Sequence, residues 1–331
     1  MSEIKRVCVV AGGAGFIGTN LVKKLIEAGA KVVVGDNFSL GSPKNLNNLV
    51  SENFSDLLNV DLSTTEGSSL LYEHAKNKYG KIDEIWHLAA NSDIPSGVED
   101  PNVDLKDTFM TTFELLKVAK NYSVKKFNFA SSSAVYGNWG EASLNETLGP
   151  LRPISNYGAM KLASEAQICA AAEDFLEEAN IFRFPNVVGM PATHGVILDF
   201  VNKLKESPNF LDVLGNGMQK KSYLHVSELV DGMLYVASMP KRHNKVEVVN
   251  IGCSDAGILV KDIANIVRNL VAPSATIRYG TSDRGWLGDV PRFSYNTEYL
   301  EKLGWQPKMS SHSAVLLAAN EISIRLNPNE N

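Results

Sequence analysis

The sequence predicts an α/β protein, a doubly wound parallel sheet followed by a smaller mixed α/β domain, and three observations carry that prediction. Apolar runs near residues 6–11, 31–35, 57–60, 84–89, 126–131 and 180–184 alternate with amphipathic stretches near 16–28, 66–79, 101–121 and 156–178. That is the rhythm of parallel strands joined by crossover helices. The first apolar run ends in a glycine-rich turn, Val9-Val10-Ala11-Gly12-Gly13-Ala14-Gly15-Phe16-Ile17-Gly18. Beyond Val188-Gly189 the rhythm breaks into shorter elements punctuated by Pro191, Pro208, Gly215-Asn216-Gly217, Pro273 and Pro291. Residues 1–189 are therefore expected to form the sheet domain. Residues 190–331 are expected to form the second domain, folded over the sheet's carboxyl edge and interleaved with the first.

The glycine turn is the first element with chemical content. Gly12, Gly15 and Gly18 stand where a strand hands over to a helix, with the spacing G-x-x-G-x-x-G in place of the commoner G-x-G-x-x-G. Such a turn lets the backbone approach a pyrophosphate, and the helix opened by Phe16 and Ile17 offers its N-terminal amides to the anion. The next strand, Lys31-Val32-Val33-Val34-Gly35, ends in Asp36-Asn37, close to the offset expected of a ribose-binding carboxylate. A carboxylate there repels a 2′-phosphate, and residues 37–48 contain Lys44 but no arginine. The expected cofactor is thus NAD in a Rossmann-type domain. After the third strand comes Asp61-Leu62, placed to meet the adenine.

Later elements supply a base. Tyr157 and Lys161 are four residues apart and share one face of a helix. A free tyrosine titrates near about pH 10, too high for a base near neutrality, and a neighbouring ammonium is expected to lower it. The strand Lys126-Phe127-Asn128-Phe129-Ala130 runs into Ser131-Ser132-Ser133-Ala134-Val135-Tyr136-Gly137. Any of the three serine hydroxyls can hydrogen-bond a reacting oxygen at that strand end. The combination points to removal of a hydroxyl proton by Tyr157 while hydride leaves the same carbon.

Composition narrows the partners. The chain has 331 residues, 44% of them hydrophobic, and a formal net charge of −5 with no basic cluster. It offers no field for nucleic acid. Met1–Arg6 lead directly into the first strand, and no apolar run is long enough to cross a bilayer, so a cytoplasmic location is expected. Cys8, Cys169 and Cys253 stand at unrelated spacings away from histidine clusters. They read as buried free thiols, with no metal site and no disulfide.

With these motifs in place the chain resembles the extended short-chain dehydrogenase/reductase family, in its branch of NAD-dependent nucleotide-sugar epimerases of the UDP-glucose (UDP-galactose) 4-epimerase type. The resemblance runs from Gly12 to Gly304-Trp305-Gln306-Pro307. It implies Gly12, Gly15, Phe16, Ile17 and Gly18 at the pyrophosphate, Asp36 and Asn37 at the ribose, and Asp61 and Leu62 at adenine. Leu88, Ala89 and Ala90, after His87, line the nicotinamide half, which Tyr157 and Lys161 also touch. Ser132 takes the place of the catalytic serine or threonine, with Ser133 beside it at the substrate and Ser131 and Ser133 as alternatives. Asn186, in Phe184-Pro185-Asn186-Val187-Val188-Gly189, is implied at the substrate diphosphate. Lys221 stands where the family commonly has an arginine, and Arg284 stands farther from Gly288-Asp289-Val290-Pro291 than the usual pattern places it. Trp286 and Phe293 are further candidates for packing on base or sugar. The family's helices near 101–121 and 156–178 pair across a dimer interface, so a homodimer is expected.

Within that family the residues after Ser132 discriminate. Dehydrating members carry an Asp-Glu pair there and decarboxylating members a glutamate, whereas this chain has Ser133-Ala134. The cysteine acid of 3,5-epimerases is missing as well. What is left is oxidation of a sugar 4-hydroxyl in a UDP-hexose-like substrate, with hydride returned in a 4-epimerase or the keto sugar released in a 4-dehydrogenase. A non-catalytic NAD-binding regulatory protein is the third expectation. The stretch Asp107-Thr108-Phe109-Met110-Thr111-Thr112 has threonines where the epimerases usually show asparagine and glycine, and reads as a subgroup signature.

Overall fold

A computed structural model describes residues 5–47, 54–240, 243–285 and 290–326. Of these, the residues up to 135 together with 155–183 and 234–249 form one compact unit. Residues 136–154, 184–233 and those from 250 onward form another.

The first unit is built on a seven-stranded sheet. Its strands are β1 (Val7–Ala11), β2 (Lys31–Asp36), β3 (Phe54–Asn59), β4 (Glu84–His87), β5 (Lys126–Ala130), β6 (Glu178–Arg183) and β7 (Val246–Asn250). They lie in the order β7-β6-β5-β4-β1-β2-β3, the doubly wound Rossmann arrangement. β1 pairs in parallel with β2 and β4, β2 with β3, β4 with β5, and β5 with β6. Every residue of β1 is buried, which is why its sequence is a continuous apolar run rather than an alternation. Val9, Val33, Ile85, Phe127, Phe129 and Ile181 of the strands pack with Leu71, Leu115 and Ile168 of the helices. Each such side chain contributes roughly 1.5–3 kcal/mol on burial.

The helices of this unit carry ordinary stop and start signals. α1 (Phe16–Glu27) buries Leu21, Val22 and Leu25. α2 (Thr65–Tyr79) is capped by the Thr64 hydroxyl, which accepts from the Gly67 amide, and ends at Gly80 with φ of 75°. α3 (Ile94–Glu99) comes next, and the single helix expected over 101–121 is α4 (Pro101–Asp104), a π-helical turn over Leu105–Met110, and α5 (Thr111–Asn121). α6 (Asn156–Asp174) begins at the Ser155 hydroxyl, which accepts from the Gly158 amide. It stops four residues before the expected end, because Glu178 opens β6.

The second unit has its own core of Val188, Ile197, Phe200, Leu211, Ile263, Val267 and Val315. Helices Val196–Glu206, Val260–Val271 and Ser311–Leu326 contribute to it. Short strand pairs complete it: Asn186–Val188 with Tyr223–His225, and Phe210–Val213 with Thr276–Tyr279, both parallel.

Cys8 and Cys253 are buried free thiols as expected, but Cys169 is exposed. Its helix carries alanines on both faces, so the sequence marks no inner side. Neighbouring Ala166 and Ala170 are exposed with it.

Candidate active site

The glycine turn folds into a cradle at the carboxyl end of β1. Gly12 has φ of 78°, and a Cβ there would stand 2.5 Å from the Ala89 amide nitrogen. Gly18 presses its Cα side on the Gly12 carbonyl, closing α1 onto the turn. Gly15 differs. A Cβ on Gly15 would have Gly12 O at 3.4 Å as its nearest neighbour, so no protein atom demands glycine there. Gly15 caps α1 with no side-chain hydrogen bond, and the first amides of the helix, from Phe16, Ile17 and Gly18, are left for an external acceptor. The cradle thus fits a dinucleotide pyrophosphate. Replacing Gly18 with valine is expected to push α1 off the turn and cost roughly 1–3 kcal/mol, read as a lower urea midpoint with an unchanged slope.

Asp36 closes one side of the cradle. It is buried, and its carboxylate accepts from the Ala14 amide at 2.9 Å and the Phe38 amide at 2.8 Å. Burial raises its carboxyl above the ordinary value, and the two amide hydrogen bonds pull the other way. Asn37 is exposed, its side chain accepting from the Ser39 amide. The loop beyond it is a support that sequence reasoning missed. The Asn45 amide donates to Ala14 O at 3.0 Å, the Ser42 amide donates to the same oxygen at 3.1 Å, and Gly41 lies against Ala14 and Gly15. Gly41 was the one visible signal. Asp61 binds the Lys106 ammonium at 3.0 Å and accepts from Ser63, and Leu62 is buried behind it. Leu88, Ala89 and Ala90 are partly buried, with the Leu88 amide on Ala11 O at 2.8 Å.

Tyr157 and Lys161 occupy the first turns of α6, beside the end of β5. The Lys161 ammonium donates to Ala130 O at 2.6 Å, and lies 4.7 Å from the centroid of the Phe129 ring and 5.8 Å from that of Tyr157. Of the three serines, Ser132 is the one whose hydroxyl acts on the Tyr157 phenol, favouring its ionised form. Ser131 donates instead to Glu165, whose carboxylate also holds Arg183 through Nε at 2.9 Å and a terminal nitrogen at 2.6 Å. Ser133 is partly buried and opens a short 3-10 turn, Ser133–Val135.

Protonation in this cluster is governed by burial. Burial lowers Lys161 to about 7, opposed by the charges of Glu165 and Asp104. Burial pushes the Tyr157 phenol up to about 12, opposed by the Ser132 hydroxyl and helped by the charge of Asp104. The surroundings of the phenol therefore shift it upward, where the Tyr-Lys spacing predicts a fall: both groups are desolvated together, and the ammonium does not bond the phenol oxygen. His87 is buried, shares a 2.8 Å hydrogen bond with the Thr112 hydroxyl, and is held well below its usual range by burial and then by Lys161.

In the second unit Asn186 and Lys221 lie on neighbouring backbone. The Asn186 amide reaches Ser222 O at 3.5 Å, Asn186 pairs with Tyr223, and Lys221 is buried. Arg284 is exposed, its backbone amide on the Ser282 hydroxyl at 3.1 Å. Phe293 packs on Tyr295. Trp286 and Gly288-Asp289 lie outside the described residues. Among the described residues no group of three or more potential ligands could hold a metal ion.

Comparison with known proteins places this geometry. Residues 8–252 match the model of the NAD dependent epimerase/dehydratase family. A putative UDP-glucose 4-epimerase of Methanocaldococcus jannaschii is 27% identical over 317 residues, 94% of this chain and 97% of that protein. UDP-glucuronic acid decarboxylase 1 of Arabidopsis thaliana is 32% identical over 312 residues, 91% of this chain and 66% of that protein. The crystal structure of a UDP-galactose 4-epimerase superposes with a TM-score of 0.83 at 34% identity, covering 97% of this chain and 99% of that one.

Proposed function

The chain belongs to the NAD-dependent epimerase/dehydratase family, and from that premise we propose that it is a nucleotide-sugar 4-epimerase acting on a UDP-hexose. The observation that carries the reading is the grouping of Ser132, Tyr157 and Lys161 at the end of β5, the lysine held on Ala130 O, with Ser133-Ala134 following and no titratable side chain there. Dehydration and decarboxylation each need an acid at that place. The likeness to a decarboxylase therefore supports a shared fold and substrate class, and position 134 argues against its reaction.

NAD, when bound, supplies the acceptor and later the donor of the hydride. The protein's residues manage the proton and the fit. Gly12, Gly15, Phe16, Ile17 and Gly18 hold the pyrophosphate, Asp36 and Asn37 the ribose, and Asp61 and Leu62 the adenine end. Tyr157, as phenolate, removes the proton of the sugar 4-hydroxyl, and Ser132 donates to the same oxygens and keeps them in line. Lys161 stabilises the phenolate charge. When the 4-keto sugar presents its other face, Tyr157 returns the proton to the oxygen and the inverted alcohol forms. Asn186, Lys221 and Arg284 are assigned to the substrate diphosphate, and lysine at 221 neutralises charge without the bidentate fork of arginine.

The test is absorbance at the reduced-nicotinamide band with excess NAD and a panel of UDP-, GDP- and dTDP-sugars, followed by chromatography of the sugars. A new epimer without lasting NADH supports the reading. NADH accumulating with a keto sugar replaces it with a 4-dehydrogenase.

The protein is further proposed to be a cytoplasmic homodimer in carbohydrate biosynthesis, paired through α5, α6 and the turn before α5. Leu105 and Phe113 are exposed there at 45% and 37%, and the rings of Phe109 and Phe113 stand 6.4 Å apart. Phe113→Glu is expected to halve the mass measured by light scattering. A wild-type monomer contradicts the assignment.

A further inference from the structure

Asp104 is a buried carboxylate that the reaction above does not use. It closes α4, is 1% exposed, and accepts one hydrogen bond at 2.9 Å, from the Asn91 amide to Oδ1. Its other oxygen, Oδ2, has no hydrogen-bond partner among the described residues. A buried carboxylate left half satisfied costs free energy unless a charge compensates it, so its surroundings are informative. Oδ2 lies against the Cα of Gly97, so close that any Cβ there would collide with it. The Gly97 carbonyl in turn accepts from Asn156 Nδ2 at 2.7 Å, and Asn156 immediately precedes Tyr157. Asp104 is thereby fastened to the head of the helix that carries the tyrosine and lysine.

We propose that Asp104 is a positioning residue whose negative charge holds protons on the Tyr157 and Lys161 pair, keeping the lysine an ammonium and the tyrosine a strong base. The proposal rests on the roles assigned to Tyr157 and Lys161 above. The charge of Asp104 raises both groups, and among the described residues the charge of Lys161 lowers Asp104 in return, while the charges of Asp107 and Asp93 raise it. Facing Lys161 besides Asp104 are Glu165 on its own helix, which also raises it, and His87 of β4, held neutral by its burial. Glu165 is committed to Arg183 and Ser131. That leaves Asp104 as the carboxylate available to offset the burial of the ammonium. Asn91 orients it, and the glycine at 97 makes room for it.

The test is a titration that needs no substrate. Lysine labelled with 13C at Cε reports the ionisation of Lys161, assigned by its loss in Lys161→Met, and phenolate absorbance minus that of Tyr157→Phe reports Tyr157. In Asp104→Asn both are expected to titrate lower by roughly one to three units, the size of a buried charge contact. Where turnover is measured, the whole bell of rate against pH moves toward acid, because both limbs belong to groups the charge had raised. Titrations unmoved in a folded Asp104→Asn protein overturn the proposal, even if activity falls. Should that variant not fold, Lys161→Met serves: the Asp104 carboxyl, followed by 13C, is expected to titrate higher without the ammonium, and an unchanged value is equally decisive against. Failure of the sugar panel leaves these titrations intact, so the two readings fail separately.

Discussion

Replacing Tyr157 with phenylalanine is expected to lower turnover by roughly 10²–10⁴-fold, the scale of a lost general base, while leaving bound NAD and the fold in place. Removing the phenol oxygen takes away only the influence of the Ser132 hydroxyl on it, and the Ser132 oxygen still accepts from the Ala134 amide at 3.2 Å. The serine is not stranded, so the stability cost stays near about 1 kcal/mol or below. Rates fall with kcat rather than KM, since the interaction is made as the proton moves. The contrast with Gly18→Val is instructive: there the chain loses stability because the cradle itself is forced apart. A Tyr157→Phe protein that still turns over sugar would remove the tyrosine from the mechanism.

The parts of this site that were legible in the sequence are those written in contiguous patterns. The glycines sit on one turn, Asp36 follows one strand, and Tyr157 and Lys161 share one helix face. Each position is fixed by local geometry, so reading the pattern locates the group. What was not legible depends on contacts distant in the chain. β7 joins the sheet from residues 246–250, after a long passage through the second unit, and nothing in its own five residues shows which edge it will find. Asp61 stands where the motif puts it, yet its pairing with Lys106 is decided by how the π-helical turn packs. Among the three serines, Ser131 is engaged by Glu165, which also holds Arg183, and nothing in the run of hydroxyls shows that engagement. Asp104 is a single acid on a short helix, and only its burial gives it meaning.

Electrostatics escaped the sequence for the same reason, and Lys161→Met exposes this most directly. A lysine has an ordinary value of 10.5, and burial takes Lys161 to about 7 in the folded protein. Below pH 7 both folded and unfolded chains carry the charge, and the folded one bears the whole cost of burying it, about 5 kcal/mol from that shift at about 1.36 kcal/mol per unit. Between pH 7 and 10.5 the unfolded chain binds the proton and the folded chain has released it, so this group's contribution to stability rises with pH. At pH 9 the remaining cost is about 2 kcal/mol by the same measure. Methionine fills the space without a charge. The variant is therefore expected to gain stability over the parent at pH 6 by about 3 kcal/mol more than at pH 9, read from urea midpoints at the two values. Loss of the hydrogen bond to Ala130 O lowers both gains alike and leaves their difference untouched. Turnover moves the other way. Without the ammonium the phenolate is harder to form, so the rise of rate with pH shifts upward and activity near neutrality collapses. A collapse of activity beside a gain in stability is the outcome expected if Lys161 serves the proton chemistry proposed for Tyr157, and equal stability gains at the two pH values would show that the buried charge does not exist.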